Sequence, residues 1–420
     1  MSLIPLNKEL VEPFSTALQD FEITDFVFSK NFRDEPAPDT NIVIVNIGTI
    51  DNAELGLLLN KINKYKPAAV GVNKILREDP PTEDGLYFNN LLLQSVLFDT
   101  KNLVMVSKLQ NYDAVKKEYT SVITSDSLFT HLQNEDGIRY AELAYNNLPN
   151  TDKDFKTTRY IHRTEKLNGV EQISFAEAII NNVAPEKVKK FKSRENEIEI
   201  INYKGNFDKF YIIDAEDALN ENFDPSLIAN KIVIMGYTGE SFFSEKFWDS
   251  DKFYTPMNKE YAGKTRTDMY ETVLLANIVS MILNEDYIEI LDDRLNIIIN
   301  LIISFHNVIL FSLLFHAAAV WWDIFSIVLT LVEIILLQFV SIIVYGTYQT
   351  DVNLNFSIIF VLVVSTFVEL YYGLFKIAMQ QFDITSKIFK EETKRKKLED
   401  IIGTNSKDIL KPGKFKGLDT

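Results

Sequence analysis

Four histidines, His131, His162, His306 and His316, are the strongest metal ligands in the chain, and no cysteine accompanies them. None pairs with another at the spacing a zinc site needs, so no metal is expected. No GxxxxGK[ST], GxGxxG or GxSxG string is present, which removes the common phosphate cradles and the nucleophile elbow. Acidic residues are plentiful, but sequence alone does not say which converge, so no catalytic pair can be assigned. Neither an enzymatic activity nor a cofactor is expected. Two local groupings keep binding chemistry open. Gly236–Gly239 follows an apolar run, and such a turn either offers backbone N–H groups to an anion or only reverses the chain. Glu245, Asp249 and Asp251 make an acidic loop ahead of Thr255 and Pro256. Loop oxygens can hold calcium, but the EF-hand spacing is absent, and a solvated acidic loop is the alternative.

A second set of polar residues stands out for its apolar surroundings. No Lys or Arg occurs between Leu295 and Phe375. Residues 297–316, 325–345 and 354–375 are each apolar for about 20 residues, the length a helix needs to cross roughly 30 Å of hydrocarbon. They lack the polar stripe of a soluble amphipathic helix. Trp321, Trp322, Tyr345, Tyr348, Tyr371 and Tyr372 sit near their ends, where an aromatic belt belongs. Asn300, His306 and Asn307 fall in the first span, Glu333 in the second and Glu369 near the inner end of the third. An ionisable group in hydrocarbon costs at least about 2.5 kcal/mol, so these residues are expected to face the bundle interior or a partner helix. An ion route through Glu333 is the functional alternative, and Glu369 can snorkel to the interface.

The 420-residue chain has a formal net charge of −16. Acidic residues outnumber basic ones before the first span, which argues against nucleic acid as partner. The balance reverses after the third span, where Lys394, Arg395, Lys396 and Lys397 form a basic patch. The positive-inside rule then places the carboxyl end in the cytoplasm and the large amino-terminal part outside a bacterial inner membrane. Met1–Leu6 has neither a charged n-region nor a sufficient apolar core. An exported domain therefore implies a further span ahead of it.

The domains expected are a lead-in over 1–40, an α/β domain over 41–293, three spans over 294–375 and an amphipathic helix with a flexible tail over 376–420. In the lead-in, Phe14, Leu18, Phe21 and Phe28 are expected to pack on the domain. Buried strands are expected at 41–47, 68–72, 103–106 and 231–235, with helices at 51–65 and 87–97 between the first three. This alternation predicts a mainly parallel sheet flanked by helices, with right-handed crossovers. Segments 111–126, 137–145 and 160–163 are expected to extend the sheet. Ser174 with Glu177 three residues on predicts a capped helix to 183. Strands are expected at 197–201 and 210–213, a short helix at 214–219, and a last helix at 269–283.

The order of these elements and six local strings resemble the CHASE2 family of bacterial extracytoplasmic sensor domains. The strings are NIVIVNIG at Asn41–Gly48, PAAVGVN at Pro67–Asn73, INYKG at Ile201–Gly205, NKIVIMGYTG at Asn230–Gly239, YTPM at Tyr254–Met257 and LLANIV at Leu274–Val279. Three spans directly after the domain belong to the family's layout, as does one before it. The chain departs from the pattern at Asn73, where the family commonly has Asp, and at Leu275, where it commonly has His. A site relying on that acid or imidazole is altered here. Family members usually carry a cytoplasmic output domain, which these 420 residues do not contain.

The resemblance implies an integral inner-membrane sensor or docking protein, coupling an extracytoplasmic ligand or protein to a separate partner in the membrane or cytoplasm. Oligomerisation is compatible with this. The alternatives are a non-signalling structural subunit of an envelope complex and an ion-conducting component. The ligand-binding candidates are Asn73, Asp249, Asp251 and Asn277.

Overall fold

The computed structural model describes residues 22, 25–29, 32–80, 88–134, 137–148, 157–194, 196–240, 251–258, 267–318 and 321–381. The chain divides into two compact units, Met1–Glu289 with Tyr345–Gln349, and Ile290–Val344 with Thr350–Thr420.

The first unit is built on a nine-stranded sheet: β1 (Asp39–Asn46), β2 (Ala69–Asn73), β3 (Leu103–Asp113), β4 (Glu118–Ile123), β5 (Glu142–Tyr145), β6 (Glu165–Leu167), β7 (Val170–Gln172), β8 (Phe210–Asp214) and β9 (Ile232–Gly236). Its order is β7-β6-β4-β3-β2-β9-β1-β8, with β5 paired to β3. The pairs from β5 through β3, β2, β9 and β1 to β8 are all parallel. The hairpin of β3 with β4 and the pair β6 with β7 are antiparallel. The sheet is thus mixed but mostly parallel.

Alternate residues of the central strands face opposite layers. Val43, Val45, Val70, Val72, Val233 and Met235 pack with Leu55, Leu58, Leu59 and Ile62 of α1 (Asn52–Lys64) and with Leu93 and Leu97 of α2 (Phe88–Asp99). Each fully buried aliphatic side chain contributes about 1.5–3 kcal/mol. A capping box starts α1: the Asp51 carboxylate accepts from Glu54 N–H at 2.8 Å, and Glu54 reaches back to the Asp51 N–H.

The other layer holds α3 (Phe175–Asn181), α4 (Pro185–Lys192) and α5 (Glu271–Asn284). Ser174 and Glu177 form the capping box their spacing predicts. Gly71 lets α3 approach the sheet: a Cβ there would lie 2.5 Å from Ile179 Cδ1 and 2.8 Å from Phe175 Cζ.

Segment 111–126 extends the sheet as expected, as the end of a long β3 plus β4. Other elements differ from the expectation. Segment 137–145 splits, with Gly137–Tyr140 pairing with His131–Asn134 and only β5 joining the sheet. Tyr160–His162 pairs with Ile198–Ile200 in a separate ribbon. Of the lead-in's apolar residues expected to pack on the domain, Phe28 is buried, whereas Phe14, Leu18 and Phe21 lie outside the described residues.

The second unit contains helices Asp293–Ala318 and Asn355–Gln381 and all but the last turn of Trp322–Tyr348, each helix with a stretch long and apolar enough to cross a membrane. The first buries Asn300, Ser304, Asn307 and Phe311; the third buries Ser357, Val361, Val364 and Val368. Both stripes follow a four-three-four spacing, the pattern of a heptad seam. Asn300 Nδ2 donates to Asn353 O at 2.9 Å, while its Oδ1 accepts from Ser357 N–H at 3.0 Å and Ser357 Oγ at 2.6 Å. With no water in hydrocarbon to compete, such bonds hold helices together. The second helix has only 6 % of its apolar window buried, so its surface is left to lipid or other helices.

Candidate functional site

The connections after β1 and β2 lead to α1 and α2, whereas the chain after β9, which lies between them, reaches α5 on the opposite layer. Neighbouring strands whose connections diverge leave a crevice at their carboxyl ends, the usual ligand position in open α/β sheets. A cavity of about 560 Å³ occupies this place. Ile47, Gly48 and Thr49 line it just after β1, Asn73 at the end of β2 with Lys74 and Ile75 after it, Val106 and Lys108 from β3, Tyr237 and Asp251 from the chain between β9 and α5, and Glu271 and Thr272 from the first turn of α5.

Strand register aligns the cavity floor. Asn46 lies opposite Gly236, and Gly236 opposite Asn73. The Asn46 amide is fully used: Nδ2 donates to Asp214 Oδ1 at 2.8 Å and Gly239 O at 3.1 Å, and Oδ1 accepts from Gly48 N–H at 3.1 Å and Thr238 N–H at 3.0 Å. It ties the turn after β1 to the turn after β9, and Gly48 meets that tie at φ +50°, a conformation glycine adopts without strain. The Gly236–Gly239 turn therefore directs its Thr238 N–H at Asn46.

Asn73 sits in looser contacts. Its Nδ2 donates to Thr272 Oγ1 at 3.5 Å, and its Oδ1 accepts from Asn146 at 3.4 Å. Asn146 also donates to Glu271, which forms a salt bridge with Lys108. Thr272 donates to Tyr237 O at 3.0 Å, and the Glu271 N–H donates to Asp251 O at 3.0 Å. Lys74 donates to Ile50 O at 3.1 Å. Burial lowers its ammonium pKa from the ordinary value, opposed by the charges of Asp79 and Asp51.

The four ligand candidates thus have different fates. Asn73 and Asp251 both line the cavity, and Asp249 lies outside the described residues. Asn277 is fully buried within α5, away from the lining. Its Oδ1 accepts from Lys204 N–H at 2.7 Å and Gly205 N–H at 3.2 Å, and its Nδ2 donates to Gly205 O and Val273 O, both at 2.9 Å. Lys74, Lys108, Glu271, Thr272 and Tyr237 are lining residues that sequence reasoning passed over. For Lys74, Lys108 and Tyr237 the signal available was position, just past the carboxyl end of an expected parallel strand; Glu271 and Thr272, on the first turn of α5, carry no such signal.

Asp268 anchors the segment beside the cavity. Its carboxylate accepts from Thr255 N–H at 2.8 Å and Thr255 Oγ1 at 2.5 Å. Burial pushes its pKa up to about 7 in spite of those bonds.

Of the membrane candidates, Asn300 makes the bonds between spans described above. Glu333 is half-buried, and one of its carboxyl oxygens is enclosed with no hydrogen-bond partner among the described residues. His306 and Glu369 are exposed on their helices. The basic patch Lys394, Arg395, Lys396 and Lys397 and the tail helix beyond residue 381 lie outside the described residues.

The α/β sheet with its crevice and three apolar helices can be set against known families. The model of the CHASE2 domain matches residues 12–319. The chain belongs to the CHASE2 domain family. No curated protein and no solved structure gives a significant match. A CHASE2 domain joined to helices able to cross a membrane supports a membrane sensor.

Proposed function

We propose that this CHASE2 protein binds a ligand in the crevice at the carboxyl ends of β1, β2, β3 and β9 and passes the change through its membrane helices to a separate cytoplasmic partner. The observation that carries the reading is the cavity of about 560 Å³ at a topological switch point, in a chain with three membrane-spanning-capable helices. A ligand drives such a change only by binding two states unequally. The lining suits that requirement because it joins both helix layers of the sheet: the turns entering α1 and α2 on one side, Glu271 and Thr272 of α5 on the other.

In this reading the CHASE2 domain faces the periplasm and the carboxyl tail the cytoplasm, as the basic residues after the third helix favour. No enzymatic step is assigned to the crevice. Of its charged lining residues, Glu271 and Lys108 are paired with each other.

The test is native mass spectrometry of the full-length protein purified in mild detergent. A small molecule bound at one per chain, and displaced when Asn73 is replaced by Leu, is the expected result. A stoichiometric envelope or membrane protein with no small molecule would replace this reading with that of an assembly subunit.

A further inference from the structure

The crevice has a specific chemical imbalance. Lys74 lies in its lining, partly buried, and among the described residues its ammonium has one hydrogen-bond partner, the Ile50 carbonyl. An ammonium carries three donors. Among the described residues no carboxylate lies within salt-bridge distance of it, whereas the other lining lysine, Lys108, is neutralised by Glu271.

We propose that the crevice binds a small organic monocarboxylate with an apolar body and a hydroxyl or amino substituent, its carboxylate held by Lys74. The proposal rests on the ligand-sensing reading above and narrows it to a chemical class. A cavity of about 560 Å³ has the size of small-molecule sites, which are mostly apolar with a few placed polar groups. Ile47, Ile75, Val106 and Tyr237 supply the apolar wall. Asn73 supplies the polar recognition: its contacts at 3.4 and 3.5 Å are at the long limit of hydrogen bonding, so its amide can turn to a ligand at little cost. The charge is limited to one. The carboxylates of Asp79 and Asp51 already act on Lys74, and a dianionic phosphate monoester would set two further negative charges against this one ammonium. No arginine is among the described lining residues to offer the two-pronged grip that phosphate recognition favours.

The experiment is isothermal titration calorimetry on the detergent-purified full chain. The probes are leucate, the hydroxy acid with leucine's side chain, its uncharged methyl ester, and inorganic phosphate. Each is repeated with Lys74→Gln and Lys74→Arg, and each variant's thermal midpoint is measured alongside. Saturable binding of leucate is expected, with the ester at least about tenfold weaker, as suits loss of a charge-assisted hydrogen bond. Lys74→Gln should weaken leucate by a similar factor, and Lys74→Arg should restore part of it. Equal affinity for acid and ester, phosphate displacing leucate, or unchanged affinity in Lys74→Gln would overturn the proposal. So would no binding of leucate. If Lys74→Gln lowers the thermal midpoint, the acid and ester compared on the unaltered chain decide alone. Ester binding without acid binding removes the anion but leaves the crevice a ligand site. A stoichiometric protein partner with no small molecule in native mass spectrometry removes the sensing reading itself.

Discussion

At the residue scale, two side chains that could be taken for chemistry act on the backbone instead. Asn277 spends its whole amide on Lys204, Gly205 and Val273. Asn277→Ala leaves buried N–H and C=O groups unpaired, and a loss of about 3 kcal/mol is expected in denaturant unfolding. A loss near zero would show that the Lys204–Gly205 segment finds other partners. Asp268 gives a pH dependence of defined sign. Its pKa is raised from 3.8 to about 7 by burial, so the folded chain keeps a proton that the unfolded chain has released. Stability from this group is full below about 4 and falls as pH rises to about 7. Asp268→Asn should flatten the slope of thermal midpoint against pH over that interval. An unchanged slope would place the pH dependence elsewhere. The composition already contained both residues, but nothing in the sequence separates an asparagine that serves a ligand from one that serves the chain.

At the element scale, two close approaches fix the layers. Gly71→Ala would press a methyl group onto Ile179 and Phe175 of α3. Overpacking of this kind costs about 1–3 kcal/mol, and urea unfolding should show it as a lower midpoint at unchanged slope. In the membrane unit, Asn300 links the first and third helices through Asn353 and Ser357. Asn300→Leu should destabilise the bundle by about 1 kcal/mol, measurable by unfolding in mixed micelles. No effect would mean that the apolar seam of Phe311, Val361, Val364 and Val368 holds the pair unaided. Helices such as α1 and α3 were legible because caps and periodicity are local: Asp51 with Glu54 and Ser174 with Glu177 announce them. Helix α4 carries Pro185 at its first turn, a start signal, but only Val188 and Phe191 are buried, too few for its periodicity to stand out.

At the scale of the whole molecule, the proposed orientation can be tested directly. Protease added outside spheroplasts should degrade the CHASE2 domain ahead of the first span and spare the three helices. Protection of that domain would reverse the orientation inferred from the basic tail.

Amino-acid order alone determined the class of this protein. Runs of apolar residues about 20 long are a local property, and the solvent they need follows from their length. The alternation of short buried runs with amphipathic stretches likewise dictates a mostly parallel sheet. Only the tertiary structure decided where chemistry can occur. Strand β9 enters the sheet between β1 and β2 although more than 150 residues separate it in sequence from either, and no local pattern encodes that insertion. It is this insertion that brings Gly236 between Asn46 and Asn73, carries Glu271 and Thr272 to Lys108 and Asn73, and leaves Lys74 in a crevice with no carboxylate in salt-bridge contact among the described residues. Long-range pairing depends on which surfaces bury each other best in the assembled fold, so the site became visible only in three dimensions.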